Sequence, residues 1–186
     1  MKKARKIIVQ IATSADGYIA RPDGDVGWLN EPHLKGDYGM AAFFKTIDTI
    51  LWGRKTYEKG IEMGMKSSFD PKVKNYVFSR RPQGALLPGF EWVKEPIKPF
   101  VKRLRRQPGK NIWMMGGGEI IADFLDEGAI DEFCIHVIPV LIGEGIPLVK
   151  PRHRSIRLEV LSTRKFPDSV VHLHYRVAAK GQRRRG

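Results

Sequence analysis

The chain has 186 residues, 42% hydrophobic and 28% charged, enough to bury one core and too short for two comfortable domains. No apolar run approaches the roughly 18 residues that a membrane span needs, and Met1 to Lys6 leads into a strand-like segment rather than an apolar signal stretch, so a cytoplasmic protein without membrane contact is expected. A single cysteine, Cys134, excludes an internal disulfide and a multi-cysteine zinc site, and no metal is expected.

The net charge of +13 is unevenly placed. Lys2, Lys3, Arg5 and Lys6 at one end, with Arg176, Lys180, Arg183, Arg184 and Arg185 at the other, hold nine of those charges at ends expected to fray. Residues 1–180 read as a single domain and 181–186 as a basic disordered tail. A further block, Lys98, Lys102, Arg103, Arg105, Arg106 and Lys110, reads as the wet face of a helix. This distribution favours a solvated surface that attracts phosphate-bearing small molecules, with no specific nucleic-acid partner expected. A basic nucleic-acid-binding module remains the competing class.

In chain order, Lys6 to Thr13 is apolar and rich in β-branched residues, hence a buried strand. Ser14 to Pro32, with Asp16-Gly17 and Asp23-Gly24 as turn dipeptides, reads as one long loop. Asp37 is placed to cap a helix running through Phe43, Phe44 and Ile47, and Thr49 to Gly53 reads as the second strand. A helix over Thr56 to Glu62, strands over Asn75 to Ser79 and Phe90 to Val93, and an amphipathic helix over Ile97 to Arg106 follow. Asn111 to Met115 is a strand that breaks at three glycines before a helix over Glu119 to Asp126. Asp131 to Ile142 reads as one long strand. Ile156 to Lys165 and Val170 to Ala178 form a hairpin around Pro167-Asp168-Ser169. The expected class is α/β, a mainly parallel central sheet with helices on both faces and an antiparallel C-terminal hairpin.

Three strand ends suit phosphate. In Met114-Met-Gly-Gly-Gly-Glu-Ile120, glycines after a strand allow close backbone approach, and the helix behind them offers free N–H donors. Leu51-Trp-Gly-Arg-Lys-Thr-Tyr-Glu58 repeats the arrangement with a cation and a hydroxyl. Phe78-Ser-Arg-Arg-Pro82 ends the next strand with a hydroxyl and two guanidiniums, which suits the 2′-phosphate that separates NADPH from NADH. Each also reads as an ordinary turn. Together, at the carboxyl ends of parallel strands, they should converge on one edge of the sheet.

These residues also carry a resemblance. The order Ser14-Ala-Asp-Gly-Tyr-Ile-Ala20, Asp23-Gly24 with Trp28-Leu29, Gly53-Arg-Lys-Thr-Tyr-Glu58, Val77-Phe-Ser-Arg80 and Gly116-Gly-Gly-Glu119 resembles the dihydrofolate reductase-like superfamily. The branch it most resembles is the reductase domain of the bifunctional riboflavin-biosynthesis deaminase-reductase and its stand-alone relatives. The resemblance implies an NADPH-dependent oxidoreductase that transfers hydride to a small heterocyclic substrate, of the 5-amino-6-(5-phosphoribosylamino)uracil reductase or the dihydrofolate reductase kind. It implies cofactor contacts from Ala12, from Gly53, Arg54, Lys55 and Thr56, from Ser79 and Arg80, and from Gly116, Gly117, Gly118, Glu119, Ile120 and Ile121. Asp16, Asp37 and Trp28 are the implied candidates for the catalytic positions, and the Asp131 to Gly145 segment for a homodimer interface. Two departures bear on the substrate. Met40 stands where dihydrofolate reductases carry the pterin-binding acid, and Met115 where the riboflavin-pathway enzyme carries an acid before its glycine turn. A nucleotide-binding relative without catalysis is therefore a second reading.

Overall fold

β-branched and aromatic runs alternate with amphipathic segments, and that alternation folds into layers. The computed structural model describes residues 4–31 and 33–178. Its strands are β1 (Ile7–Ser14), β2 (Tyr18–Ala20), β3 (Ile47–Gly53), β4 (Lys74–Phe78), β5 (Phe90–Val93), β6 (Asn111–Gly116), β7 (Glu132–Ile138), β8 (Ile146–Pro147), β9 (Leu158–Lys165) and β10 (Val171–Val177). Its helices are α1 (Met40–Phe44), α2 (Arg54–Glu62), α3 (Ile97–Arg106) and α4 (Gly118–Asp126), with a 3-10 turn at Gly27–Asn30. The main sheet has eight strands in the order β5-β4-β3-β6-β1-β7-β10-β9. Pairing is parallel from β5 through β7 and antiparallel from β7 to β10 to β9.

Helices cover both faces, as expected. On one face Ile7, Val9 and Met114 pack against Phe100 and Leu104 of α3 and Ile121 and Phe124 of α4. On the other, Ile50, Trp52 and Trp113 meet Tyr57 of α2 and Phe43 and Phe44 of α1. Full burial of each such side chain stabilises the fold by roughly 1.5–3 kcal/mol. A third cluster, Trp28, Ile138, Ile142 and Val170, fastens the loop after β1 to the ends of β1 and β7.

Four expectations change. The Ser14 to Pro32 segment is not all loop: β2 pairs with β8, two segments far apart in sequence and too short to carry a periodic signal. α1 ends at Phe44, not Ile47, because Ile47 joins the ladder as the register partner of Asn111. β7 stops at Ile138 rather than Ile142, since Pro139 cannot donate to the ladder. β9 begins at Leu158 rather than Ile156 and carries a register shift opposite His174 and Tyr175, where Leu161 bulges from the edge strand.

Two of the N-terminal charges expected at a frayed end, Arg5 and Lys6, are anchored. Arg5 is 5% exposed; its guanidinium pairs with Asp48 and donates to Thr49 Oγ1 at 2.8 Å and to the Lys110 carbonyl at 2.8 Å. A buried cation persists only with such a full set of partners. Lys6 pairs with the buried Glu132. The basic tail expected over 181–186 lies outside the described residues. Among the described residues, no helix is long and apolar enough to cross a membrane.

Candidate functional site

β3, β4 and β6 are neighbours in the parallel part of the sheet, so their carboxyl ends open on one edge. β3 ends at Gly53 and turns directly into α2, while β6 ends at Gly116 and passes through Gly117 into α4. Neither helix start carries a side-chain cap, so first-turn N–H groups are left for an anion. The two turns touch: a Cβ on Gly53 would lie 3.1 Å from the Gly116 carbonyl oxygen and 3.1 Å from Ile120. Glycine is required at 118 as well, where a Cβ would fall 2.3 Å from the Pro147 carbonyl of β8. The β2–β8 ribbon is thereby seated on the start of α4.

Around these turns runs a crevice of about 1800 Å³. All three sequence clusters line it: Gly53, Arg54, Lys55 and Thr56; Ser79 and Arg80; and Gly117, Gly118, Glu119 and Ile120. Ala12, at the end of β1, lines it too. Gly116 and Ile121 do not, because Gly116 is buried in β6 and Ile121, fully buried, belongs to the core beneath α4. The crevice is larger than the 300–1,000 Å³ common for drug-sized ligands.

Its lining cations, Arg54, Lys55, Lys59, Arg80, Arg81 and Lys150, are matched by as many carboxylates, and several are paired with them. Arg80 donates to Glu119 at 2.7 Å, joining the end of β4 to α4 across the crevice. Lys150 reaches the same carboxylate at 3.1 Å. The Lys150 hydrogen bond, helped by Arg80, holds the Glu119 carboxyl below its ordinary range. Arg54 pairs with Glu58 one turn along α2, at 2.7 Å. Ser79 Oγ accepts the Arg81 N–H at 3.1 Å and shapes the basic turn. Arg81, the second guanidinium of the Phe78 to Pro82 cluster, lines the crevice as well, and so does Lys150, which was not foreseen. Lys150 has no local signal and arrives only through the chain's return after β8.

The three catalytic candidates are not brought into the crevice lining. Asp16 accepts from Ser14 Oγ at 2.5 Å and from the N–H groups of Ile142 at 3.2 Å and Gly143 at 2.8 Å. The Ser14 hydroxyl, with those backbone donors, lowers its carboxyl pKa. That carboxylate staples the loop after β1 to the turn after β7. Asp37 is exposed and accepts the Ala41 N–H at 3.1 Å, a capping contact at the start of α1, although the residue flanking the helix is Gly39. Trp28 is 4% exposed and sits in the third apolar cluster, while its neighbour Leu29 reaches the crevice. Met115 lines the crevice, and Met40 Sδ accepts a hydrogen bond from Gln10 at 3.3 Å. Cys134 is buried, and burial pushes its thiol up to about 12. A thiol so disposed is inert.

This arrangement has counterparts. The uncharacterized protein YwjB of Bacillus subtilis (strain 168) is 39% identical over 171 residues, covering 92% of this chain and 97% of its own. The fold is shared with the Thermotoga maritima diaminohydroxyphosphoribosylaminopyrimidine deaminase/5-amino-6-(5-phosphoribosylamino)uracil reductase, at 16% identity and a TM-score of 0.68, over 95% of this chain and 58% of that one. It is shared as well with Enterococcus faecalis dihydrofolate reductase, solved in complex with NADP(H), at 16% identity and a TM-score of 0.65, over 94% of this chain and 97% of that one. With residues 5–172 matching the family described as the RibD C-terminal domain, the chain belongs to that family.

Proposed function

We propose that the protein is an NADPH-dependent reductase that passes hydride to a small heterocyclic substrate. One observation carries the reading: three clusters far apart in sequence, each suited to phosphate, line one crevice at the carboxyl edge of a parallel sheet. The reductase names of the fold relatives support it.

The residues present fit a dinucleotide phosphate. Gly53 and Gly118 keep backbone close to backbone at the two helix starts, Gly117 leaves room for the Thr56 hydroxyl, and the uncapped N–H groups of α2 and α4 suit a pyrophosphate. Arg80, Arg81 and the Ser79 hydroxyl suit a 2′-phosphate, for which Arg80 exchanges its bond to Glu119. When bound, NADPH supplies the hydride. The chain's own contribution is to position the ring against Ala12, to keep water out with the loop fastened by Asp16, and to hold the acceptor close. A homodimer contact through Asp131 to Gly145 belongs to the same proposal; β7 itself lies inside the sheet between β1 and β10, so the contact would use the turn after it, where Leu141 is exposed.

Titration of the purified protein with NADPH and with NADH tests the reading. Micromolar NADPH binding, with NADH weaker, is expected; failure to bind either refutes it. Because Asp16 and Asp37 are both engaged by backbone N–H groups, a cofactor-binding relative without turnover is the second reading. Its signature is NADPH binding with no NADPH oxidation across a panel of pteridines and aminopyrimidines.

A further inference from the structure

Beside Ala12 lies a buried polar cluster that cofactor binding does not use. Gln10 on β1 and His136 on β7 are each 5% exposed. Gln10 precedes Ala12 by one strand repeat, about 6.6 Å, on the same sheet face. His136 is the register partner of Ala12. Neither is in the crevice lining; the amide and the imidazole lie next to it, behind Ala12.

Hydrogen bonding fixes how both groups are turned. His136 Nε2 lies 3.0 Å from the Tyr38 carbonyl oxygen, which can only accept, so the proton sits on Nε2 and Nδ1 is an acceptor. Gln10 Nε2, 3.4 Å from that Nδ1 and 3.3 Å from Met40 Sδ, donates to both. Gln10 Oε1 is left as the group without a hydrogen bond from another described residue. Burial lowers the pKa of His136, so the cluster stays uncharged. Nearby, the indole N–H of Trp28 has no partner among the described residues, and Trp28 packs in the same apolar cluster as Ala12 and Tyr38. An acceptor and a donor without hydrogen bonds from described residues, both beside the crevice-lining Ala12, are what a bound ligand satisfies.

Carboxylates on the covering segments are engaged elsewhere. Asp37 holds the Ala41 N–H, Asp16 holds Ile142 and Gly143, and Asp168 takes the Tyr38 hydroxyl. A cationic ring would enter this end without a counter-charge, whereas an uncharged ring N–H finds an acceptor. We infer that Gln10 is a specificity-determining residue whose Oε1 accepts a ring N–H of the substrate, and that His136 is the positioning residue that fixes its amide. The inference rests on the reductase reading above.

Calorimetry on the full chain saturated with NADP⁺, using 5-aminouracil and 2,4-diaminopyrimidine as probes, tests it. The wild type should bind 5-aminouracil at least about tenfold more tightly, and Gln10→Glu, which supplies a counter-charge, should reverse the order. Gln10→Leu should abolish 5-aminouracil binding, and it serves if the glutamate variant fails to fold. His136→Phe should weaken 5-aminouracil binding, and His136→Asn, which restores an acceptor, should recover it, a rescue that a purely structural role would not give. NADPH affinity should stay unchanged in every folded variant. An unaltered ring preference in Gln10→Glu, or no ring binding by a wild type that binds NADPH normally, overturns the assignment. A wild type that binds no NADPH overturns the reductase reading, and the assignment with it.

Discussion

Arg80, at the end of β4, donates to Glu119, in the first turn of α4, at 2.7 Å and across 39 residues of sequence. The Arg80 side chain is 87% exposed, so the pair adds little to stability, and its importance lies in where it holds a guanidinium. Arg80→Ala should therefore lower the preference for NADPH over NADH by roughly tenfold or more while leaving stability within about 1 kcal/mol. Parallel titrations with the two cofactors, and a urea melt, check both halves. Equal losses for NADPH and NADH would place the 2′-phosphate elsewhere.

Arg54 is the second cation of the crevice, held by Glu58 one helical turn away. Its removal should weaken NADPH binding by on the order of 2 kcal/mol, the cost of one charge-assisted contact, or roughly thirtyfold in Kd. Fluorescence titration measures this directly. An unchanged Kd would mean that Arg54 serves only its helix.

Gly118 joins the crevice to the β2–β8 ribbon. A methyl group there would stand 2.3 Å from a backbone oxygen, which has no rotamer through which to yield. Gly118→Ala should lower unfolding stability by about 1–3 kcal/mol, the cost of overpacking, and weaken NADPH binding in the same variant. Gly128→Ala is the contrasting control for the clash: φ is 63° but nothing lies within 4 Å, so it should carry only the backbone penalty.

Histidine burial predicts the acid response. His172, its ring tilted against that of His136 with centroids 4.7 Å apart, is pushed down to about 4 from 6.5 by burial and by the repulsion it would meet, once protonated, from His136, His174 and Arg164. The folded state thus binds its proton less readily than the unfolded state. Stability from keeping His172 neutral is fully present above about pH 6.5 and is lost as pH falls towards 4. Urea midpoints measured from pH 7 to pH 4 should fall in the wild type and fall less in His172→Phe. Identical profiles would refute the assignment.

Cys134 offers a simple check of burial. With its thiol pushed up to about 12, it should not react with a thiol reagent at pH 8 in the native state and should react fully in urea.

Most of the fold was legible because its signals are local. Strand and helix periods run through β1, β3 to β6 and α2 to α4, and glycine marks both turns of the crevice at 53 and 116–118. The convergence of the three clusters on one crevice could be read for the same reason: each is a short strand end with its own chemistry. The catalytic candidates could not be resolved this way. Asp16 and Asp37 are acids in the right loops, but whether a carboxylate is free depends on N–H groups at Ile142, Gly143 and Ala41.

By itself the sequence settles what depends on neighbours in the chain: element types, the parallel-then-antiparallel order, and which strand ends suit phosphate. Tertiary structure alone decides which distant groups meet. It pairs β2 with β8, brings Lys150 to Glu119, buries Arg5 against Asp48 and turns the Gln10 amide on His136. The reason is physical. Periodicity and turn chemistry act over a few residues, whereas hydrogen bonding, burial and charge pairing act through space, and a side chain's partner has no fixed distance along the chain.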